Sequence, residues 1–291
     1  MQSTAAESTA ASPAVRAQRK LQPRFSTPCD DMAEESVLFW LNTLHGHAET
    51  EFLSGVRRFV SLFGHGQHGG YGTGCSATDI SRRCERAIFN IFERKLGLRV
   101  KLPAIVSCEK DPRKRQFLLL QHDVPLVISK LSELASPSKV CNVRNGQLEL
   151  PGQLLHLLVG IPCISRTSLS SKCAQNMNCV QEGRSATGCA FEEVLEIVQS
   201  HWPTIVALEC VRNLDQKKSG KQSDAQWICE QMRSQGYWSF YQVMDNADEG
   251  MIDAARSRLW WLSARGLRGS HLSVRRKCFG RQGPQLPIQS V

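Results

Sequence analysis

The stretch LLHLLVGIPCISRT, Leu154 to Thr167, opens with an apolar run and breaks at Gly160 and Pro162. The run Leu154 to Val159 is strand-length, and a glycine and a proline directly after it mark a loop, so the segment reads as a buried β-strand that delivers Cys163 just past its end. Pro162 fixes its own backbone, Gly160 permits close approach, and Ser165, Arg166, Thr167 and Ser168 make the surroundings of the thiol polar and positive. Such surroundings can lower a thiol pKa and supply thiolate. Taken alone, a cysteine beside an apolar strand is more often an inert packing residue.

Working outward, the same alternation recurs on both sides. Downstream come a helical stretch from Phe191 to Gln199 and a second strand-length run, Thr204 to Leu208, followed by Glu209, Cys210 and Val211. Upstream, a helix over Asp79 to Leu96, with Asp79 as its cap, precedes the run Ala104 to Val106, which leads into Cys108, Glu109, Lys110 and Asp111. A further helix begins near Pro112, at a position where the missing N–H costs nothing. Gln222 to Ser234 reads as another helix, and Trp238 to Met244 and Leu259 to Leu262 as strands. Strands alternating with helices predict an α/β fold, a sheet sandwiched by helices. Ligands of such sheets bind beyond the carboxyl ends of the strands, where this chain offers Glu109, Cys163 and Glu209 in turn. An acid at a strand end can accept hydrogen bonds from a ribose diol, or it can be a solvated surface charge.

The 36 Lys and Arg against 27 Asp and Glu give a formal charge of +9, which favours an anionic partner and makes nucleic acid plausible. Part of that charge lies in a C-terminal cluster, Arg268, Arg275, Arg276, Lys277 and Arg281. The twelve cysteines show no CxxC and no zinc spacing, so thiols in a reducing compartment are expected and no metal site is. The longest apolar run is far shorter than the ~20 residues that cross a bilayer, so no membrane segment is expected. Composition divides the chain into a disordered tail over 1–33, a folded domain over 34–266 that opens with one or two helices between Glu34 and Leu62, and a basic flexible tail over 267–291. Arg16, Arg19, Lys20 and Arg24 among serines leave organelle targeting open.

In order and spacing these residues resemble the cytosine-C5 DNA methyltransferase family. The resemblance rests on GYGTGC from Gly70 to Cys75, on Glu109 in CEKD, on Pro162-Cys163 in VGIPCISRT, on Glu209 in LECV, and on Arg256 and Arg258 in AARSRLWWL. The segment QGYWSFYQVMDNADEGMIDAARSR, Gln235 to Arg258, is similar to the family's run of Gly-Tyr, strand, Asn-Ala and paired arginines. Five motifs in order across residues 70 to 262 are more specific than any one of them.

The resemblance implies a Rossmann-like S-adenosylmethionine-dependent methyltransferase sheet with helices on both faces, and a methyl transfer to C5 of cytosine in DNA. Cys163 would be the nucleophile, Glu209 the acid beside N3 of the base, and Arg258 with Arg256 the groups near O2; Arg166 would assist. Gly72 and Gly74, in a glycine-rich turn, together with Glu109 and Pro162, would line the S-adenosylmethionine site. The chain departs from the family pattern in three places: Cys210 stands for an amide, Ala254 for a glutamine, and Ser129 and Lys130 where an adenine-reading Asp is expected. Only about 25 residues follow Gly266, too few for a target-recognition domain. Recognition would then come from a partner protein or another chain, or the sequence is a truncated gene product, or the chain is an inactive relative. The resemblance implies a nuclear location; RNA as the substrate, and a non-catalytic regulatory role on the same fold, are the alternatives.

Overall fold

The computed structural model describes residues 50, 53–57, 60–61, 69–75, 80–100, 102–121, 124–136, 140–143, 146–150, 152–167, 170–217, 220–244 and 258–264. The tails expected over 1–33 and 267–291 lie outside these residues, as do Asp79, Ser168, Ala254 and Arg256. Of the helices expected between Glu34 and Leu62, the described residues 50, 53–57 and 60–61 are helical.

In chain order the elements are β1 (Gly69–Gly74), α1 (Ile80–Leu96), β2 (Ala104–Cys108), α2 (Pro112–Gln121), β3 (Leu126–Ile128) and a 3-10 turn at Leu131–Ala135. The hairpin β4 (Val140–Asn142) and β5 (Gly146–Leu148) follows, then β6 (Gln153–Gly160), α3 (Ser185–His201), β7 (Ile205–Val211) and a second 3-10 turn at Arg212–Asp215. The last elements are α4 (Asp224–Ser234), β8 (Trp238–Met244) and β9 (Arg258–Ala264). Every helix and strand read from the periodicity between residues 80 and 264 is present, while β3 and the β4–β5 hairpin were not foreseen.

Seven strands form one sheet in the order β3-β2-β1-β6-β7-β9-β8. The first five are mutually parallel, and β9 runs antiparallel between β7 and β8. This is a Rossmann-like α/β sheet. Strand order reverses between β1 and β6, and because parallel crossovers are right-handed, α1 and α2 are carried to one face and α3 to the other. Burial agrees with that. Phe89 of α1 packs on Tyr71, Leu102 and Leu155, whereas Phe191, Ile197 and Val198 of α3 join Leu157, Val159, Val206 and Leu208, with Ile228 and Met232 of α4 in the same cluster. Each such fully buried side chain stabilises the fold by about 1.5–3 kcal/mol.

GYGTGC is not the turn that its glycines predict. Residues 69–74 are the central strand β1, paired on one side with β2 and on the other with β6. The glycines serve packing: a Cβ on Gly72 would stand 2.7 Å from Val106 Cγ1 and 2.9 Å from Leu154 Cδ1, and one on Gly74 2.8 Å from Leu131 Cδ1. The turn begins one residue later, at Cys75, whose φ is 51°.

Candidate functional site

Because β1, β2, β3, β6 and β7 are parallel, their carboxyl ends share one edge of the sheet, and the candidate residues gather there. Glu109 is the first residue after β2, Cys75 the first after β1, and Cys163 the third after β6. Glu209 was expected beyond its strand but lies within β7, which β6 accompanies as far as Glu209 and β9 as far as Val211.

The register fixes the geometry. Gly160, the last residue of β6, is the partner of Glu209, and the Ile161 N–H donates to the Glu209 carbonyl at 2.8 Å. A Cβ on Gly160 would lie 3.6 Å from Glu209 Oε2 and 3.5 Å from the Cys75 carbonyl oxygen, so the carboxylate stands beside the bare glycine, on the β1 side of which the chain turns away. Two residues past this contact comes Cys163. The Pro162 carbonyl accepts from the Thr187 hydroxyl at 2.7 Å, and Thr187 is fully buried in the first turn of α3. The Cys163 carbonyl accepts from the Arg166 and Thr167 N–H groups at 3.0 and 2.9 Å, closing a turn over a half-buried Cys163. Cys163 and Glu209 therefore reach the same edge on adjacent strands.

Arg166 is placed otherwise than expected. Instead of offering its charge to the thiol's open side it is fully buried, donating through Nη1 to the Cys173 carbonyl at 2.7 Å and through Nη2 to the Asn213 carbonyl. A short polar run gives no sign of which side chain turns inward. Arg258 opens β9 opposite Val211 and Met244; its side chain is not among those described, and Arg256 lies outside the described residues.

On the other side of the strand-order reversal, Glu109 is nearly buried, and its Oε1 accepts from the Asp111 N–H at 2.9 Å, which orients the carboxylate. Its charge is felt by Cys75, whose thiol is pushed up to about 11, first by burial and then by Glu109. Burial likewise raises Cys108 well above the ordinary thiol range. Gly72 and Gly74, buried inside β1, open no turn of their own to a ligand. One acid was missed. Glu133, in the 3-10 turn after β3, accepts from the Ser129 hydroxyl through Oε1 at 3.2 Å, while its Oε2 is buried with no hydrogen-bond partner among the described residues. It lies two residues past the stretch Val127 to Leu131 in which the resemblance places an adenine-reading acid, in a 3-10 turn that leaves no periodic signal.

An oriented acid after β2 and an orphaned carboxylate oxygen after β3 suit a ligand with a diol and an exocyclic amine, which is the donor set of an adenosine. Among the described residues no group of three or more His, Cys, Asp or Glu is placed to hold a metal, and no helix is long and apolar enough to cross a membrane. A cavity of about 460 Å³ opens between α1 and the start of β2, lined by Arg82, Arg86, Phe89 and Asn90 among others, and contains none of the site residues.

Comparison with known proteins bears on this edge. Residues 136–275 match the family model described as C-5 cytosine-specific DNA methylase. Over 144 residues the chain is 26% identical to the DNA (cytosine-5-)-methyltransferase DMT5 of Cryptococcus neoformans var. grubii, a match covering 48% of this chain and 6% of that protein's length. Among solved structures, the S. pombe Dnmt2 methyltransferase superposes with a TM-score of 0.41 at 11% identity, covering 68% of this chain and 50% of that one. A putative DNA modification methyltransferase encoded within a prophage of E. coli gives 0.41 at 12% identity, covering 68% and 47%.

Proposed function

We propose that this chain, whose residues 136–275 match the C-5 cytosine-specific DNA methylase family model, transfers a methyl group from S-adenosylmethionine to C5 of cytosine in DNA, with Cys163 as nucleophile and Glu209 as acid. The observation that carries this reading is the pairing of Ile161 N–H with the Glu209 carbonyl at 2.8 Å, which sets a Pro-Cys loop beside a carboxylate at the ligand-binding edge of the sheet.

Cytosine C5 is a poor nucleophile. Thiolate addition from Cys163 to C6 forms an S–C6 bond and shifts the C5–C6 electron pair onto C5, with charge spread toward N3 and O2. A protonated Glu209 donates to N3 and neutralises that charge, and arginine near O2 offsets the remainder, for which Arg258 is preferred to Arg256. S-adenosylmethionine, when bound, supplies the methyl group. Glu109 would hold its ribose hydroxyls, Glu133 its adenine amine, and the chain around Pro162 would wall the site. Loss of the C5 proton and expulsion of the Cys163 thiolate complete the cycle. Because the target carbon lies inside a base stack, the cytosine must be taken out of the duplex. The formal charge of +9 supports phosphate contacts that would hold the strand.

DNA containing 5-fluorocytosine tests the reading, since fluorine cannot leave C5 as a proton. With S-adenosylmethionine present, Cys163 should form an adduct that survives denaturation; Cys163→Ala should give none, and Glu209→Gln should form it far more slowly. A second reading, a non-catalytic regulator on the same fold, is favoured by Cys210: at the position of the family's hydrogen-bonding amide this chain has a fully buried core thiol. A chain that binds S-adenosylmethionine yet never forms the adduct, even with a partner supplying target recognition, would decide for that reading.

A further inference from the structure

Arg166 is the largest fully buried side chain among the described residues, and a guanidinium is costly to remove from water unless its donors are used. Its two terminal nitrogens are used on two different loops, while Nε is buried with no hydrogen-bond partner among the described residues. Nη1 bonds the Cys173 carbonyl, within the long irregular segment that follows Cys163, and Nη2 bonds the carbonyl of Asn213, two residues beyond the end of β7. The surroundings reinforce this fixation: the Cys173 thiol donates to the Arg166 carbonyl at 3.4 Å, and Asn176 Nδ2 donates to the Ser165 carbonyl at 3.1 Å. Asp224, buried at the start of α4, accepts from the Gln181 backbone and side chain at 3.3 Å and lies within the field of Arg166.

The position of these bonds along the chain gives them meaning. Ile161, two residues before Cys163, is bonded to the carbonyl of Glu209; Arg166, three residues after Cys163, is bonded to the carbonyl of Asn213, four residues after Glu209. The nucleophile loop is thus tied at both ends to the one chain segment that carries the acid. Between the ties, the Cys163 carbonyl is fixed by the N–H of Arg166 itself.

We propose that Arg166 is a positioning residue, a buried clamp that fixes the Cys163 thiol relative to the Glu209 carboxylate by binding the nucleophile loop to the exit of the acid strand. This rests on the proposed function for its purpose, although the clamp can be tested without it. Misplacing a reacting group by about 1 Å can cost on the order of a hundredfold in rate. A loop released at one end has that much freedom.

The test compares the full chain with Arg166→Met, which removes both donors at similar volume, and Arg166→Lys, which keeps the charge and can reach one carbonyl. Two rates are followed: alkylation of Cys163 by iodoacetamide, read by peptide mass spectrometry with exposed Cys189 as internal control, and formation of the adduct with 5-fluorocytosine DNA. In Arg166→Met, Cys163 should alkylate on the order of tenfold faster because its loop opens locally, with Cys189 unchanged, while the maximal rate of adduct formation falls roughly tenfold to a hundredfold at unchanged DNA affinity. Arg166→Lys should recover part of both. A merely structural role would instead speed all buried cysteines together, Cys210 and Cys229 included, and that result, or wild-type rates in both assays, overturns the proposal. Should Arg166→Met not fold, hydrogen exchange on the unaltered chain decides: the amides of Ile161, Arg166 and Thr167 should be protected as one group, and exchange of Arg166 and Thr167 as fast as that of an exposed loop amide overturns the clamp. If the unaltered chain forms no adduct, the methyltransferase reading fails while the alkylation contrast still judges Arg166.

Discussion

Gly160 and Glu209 are register partners across β6 and β7, and the Glu209 Oε2 lies 3.6 Å from where a Cβ on Gly160 would be. That separation is ordinary van der Waals contact, and the φ of Gly160 is not among the positive ones, so a single methyl fits and anything larger does not. Gly160→Ala should therefore fold with near-native stability and keep adduct formation. Gly160→Val should cost about 1–3 kcal/mol by overpacking and swing the carboxylate away from the cleft. Urea denaturation and the fluorocytosine adduct rate check this, and equal behaviour of the two variants would show that the carboxylate has room to spare.

Hydrophobic period made most of this architecture legible before any coordinates. The runs around Ile105, Leu157 and Val206 are short, apolar and separated by helix-length stretches, and each became a parallel strand; an acid or a thiol follows the first two, while β7 runs on past Glu209 to Val211. What failed did so for physical reasons. Gly72 and Gly74 read as a turn because glycine is depleted in strands, yet β1 is flanked so tightly by Val106, Leu131 and Leu154 that only glycine fits there. Glu133 and the inward turn of Arg166 depend on contacts with residues distant in sequence, and no local pattern encodes them. Glu109 and Cys163 could be placed past strand ends because strand ends are local features, whereas the continuation of β7 past Glu209 depends on pairing with β9, which is not local.

Thr187 offers a second handle on the nucleophile loop. Its buried hydroxyl donates to the Pro162 carbonyl at 2.7 Å, and Thr187→Val keeps the shape while leaving that carbonyl without its partner. A loss of about 1–3 kcal/mol is expected in urea denaturation. Combined with Arg166→Met, the two losses in adduct rate should fall short of additive, because both act on the same loop. Strict additivity would mean that Thr187 and Arg166 hold independent parts of the structure.

Glu109 and Cys75 report on each other. The negative charge of Glu109 helps to hold the Cys75 thiol up at about 11, so Glu109→Gln should lower it and speed alkylation of Cys75 above pH 9, with exposed Cys189 as the unaffected control. Because burial is the larger cause, the thiol should stay above its ordinary value even then. The same substitution should weaken S-adenosylmethionine binding in calorimetry if the carboxylate takes the ribose diol. Unchanged affinity together with faster alkylation would leave Glu109 a local charge and remove it from the cofactor site.

His156, in the middle of β6 and beside Tyr71 of β1, should make the fold sensitive to mild acid. Its Nδ1 comes within 3.1 Å of Glu85 Oε1, which would favour the imidazolium, but Nδ1 makes no hydrogen bond there and the ring is almost wholly enclosed. Burial prevails and pushes the imidazole from 6.5 down to about 4. In the unfolded chain His156 takes up a proton as pH falls through 6.5, whereas the folded chain does not until about 4. Stability from this residue is thus complete above pH 6.5, declines as pH falls between those values, and changes no further below the lower one. The decline amounts to at most about 3 kcal/mol. Other groups titrate in the same range, and buried Asp224, whose carboxyl is raised by desolvation, acts in the opposite sense, so the informative quantity is the difference between the unaltered chain and His156→Gln. Urea denaturation at pH values from 7.5 to 4.5 should show the two stability curves converging, or crossing, as pH falls. Curves that stay parallel through that window would mean that His156 keeps its ordinary affinity for a proton, the attraction of the Glu85 carboxylate offsetting burial.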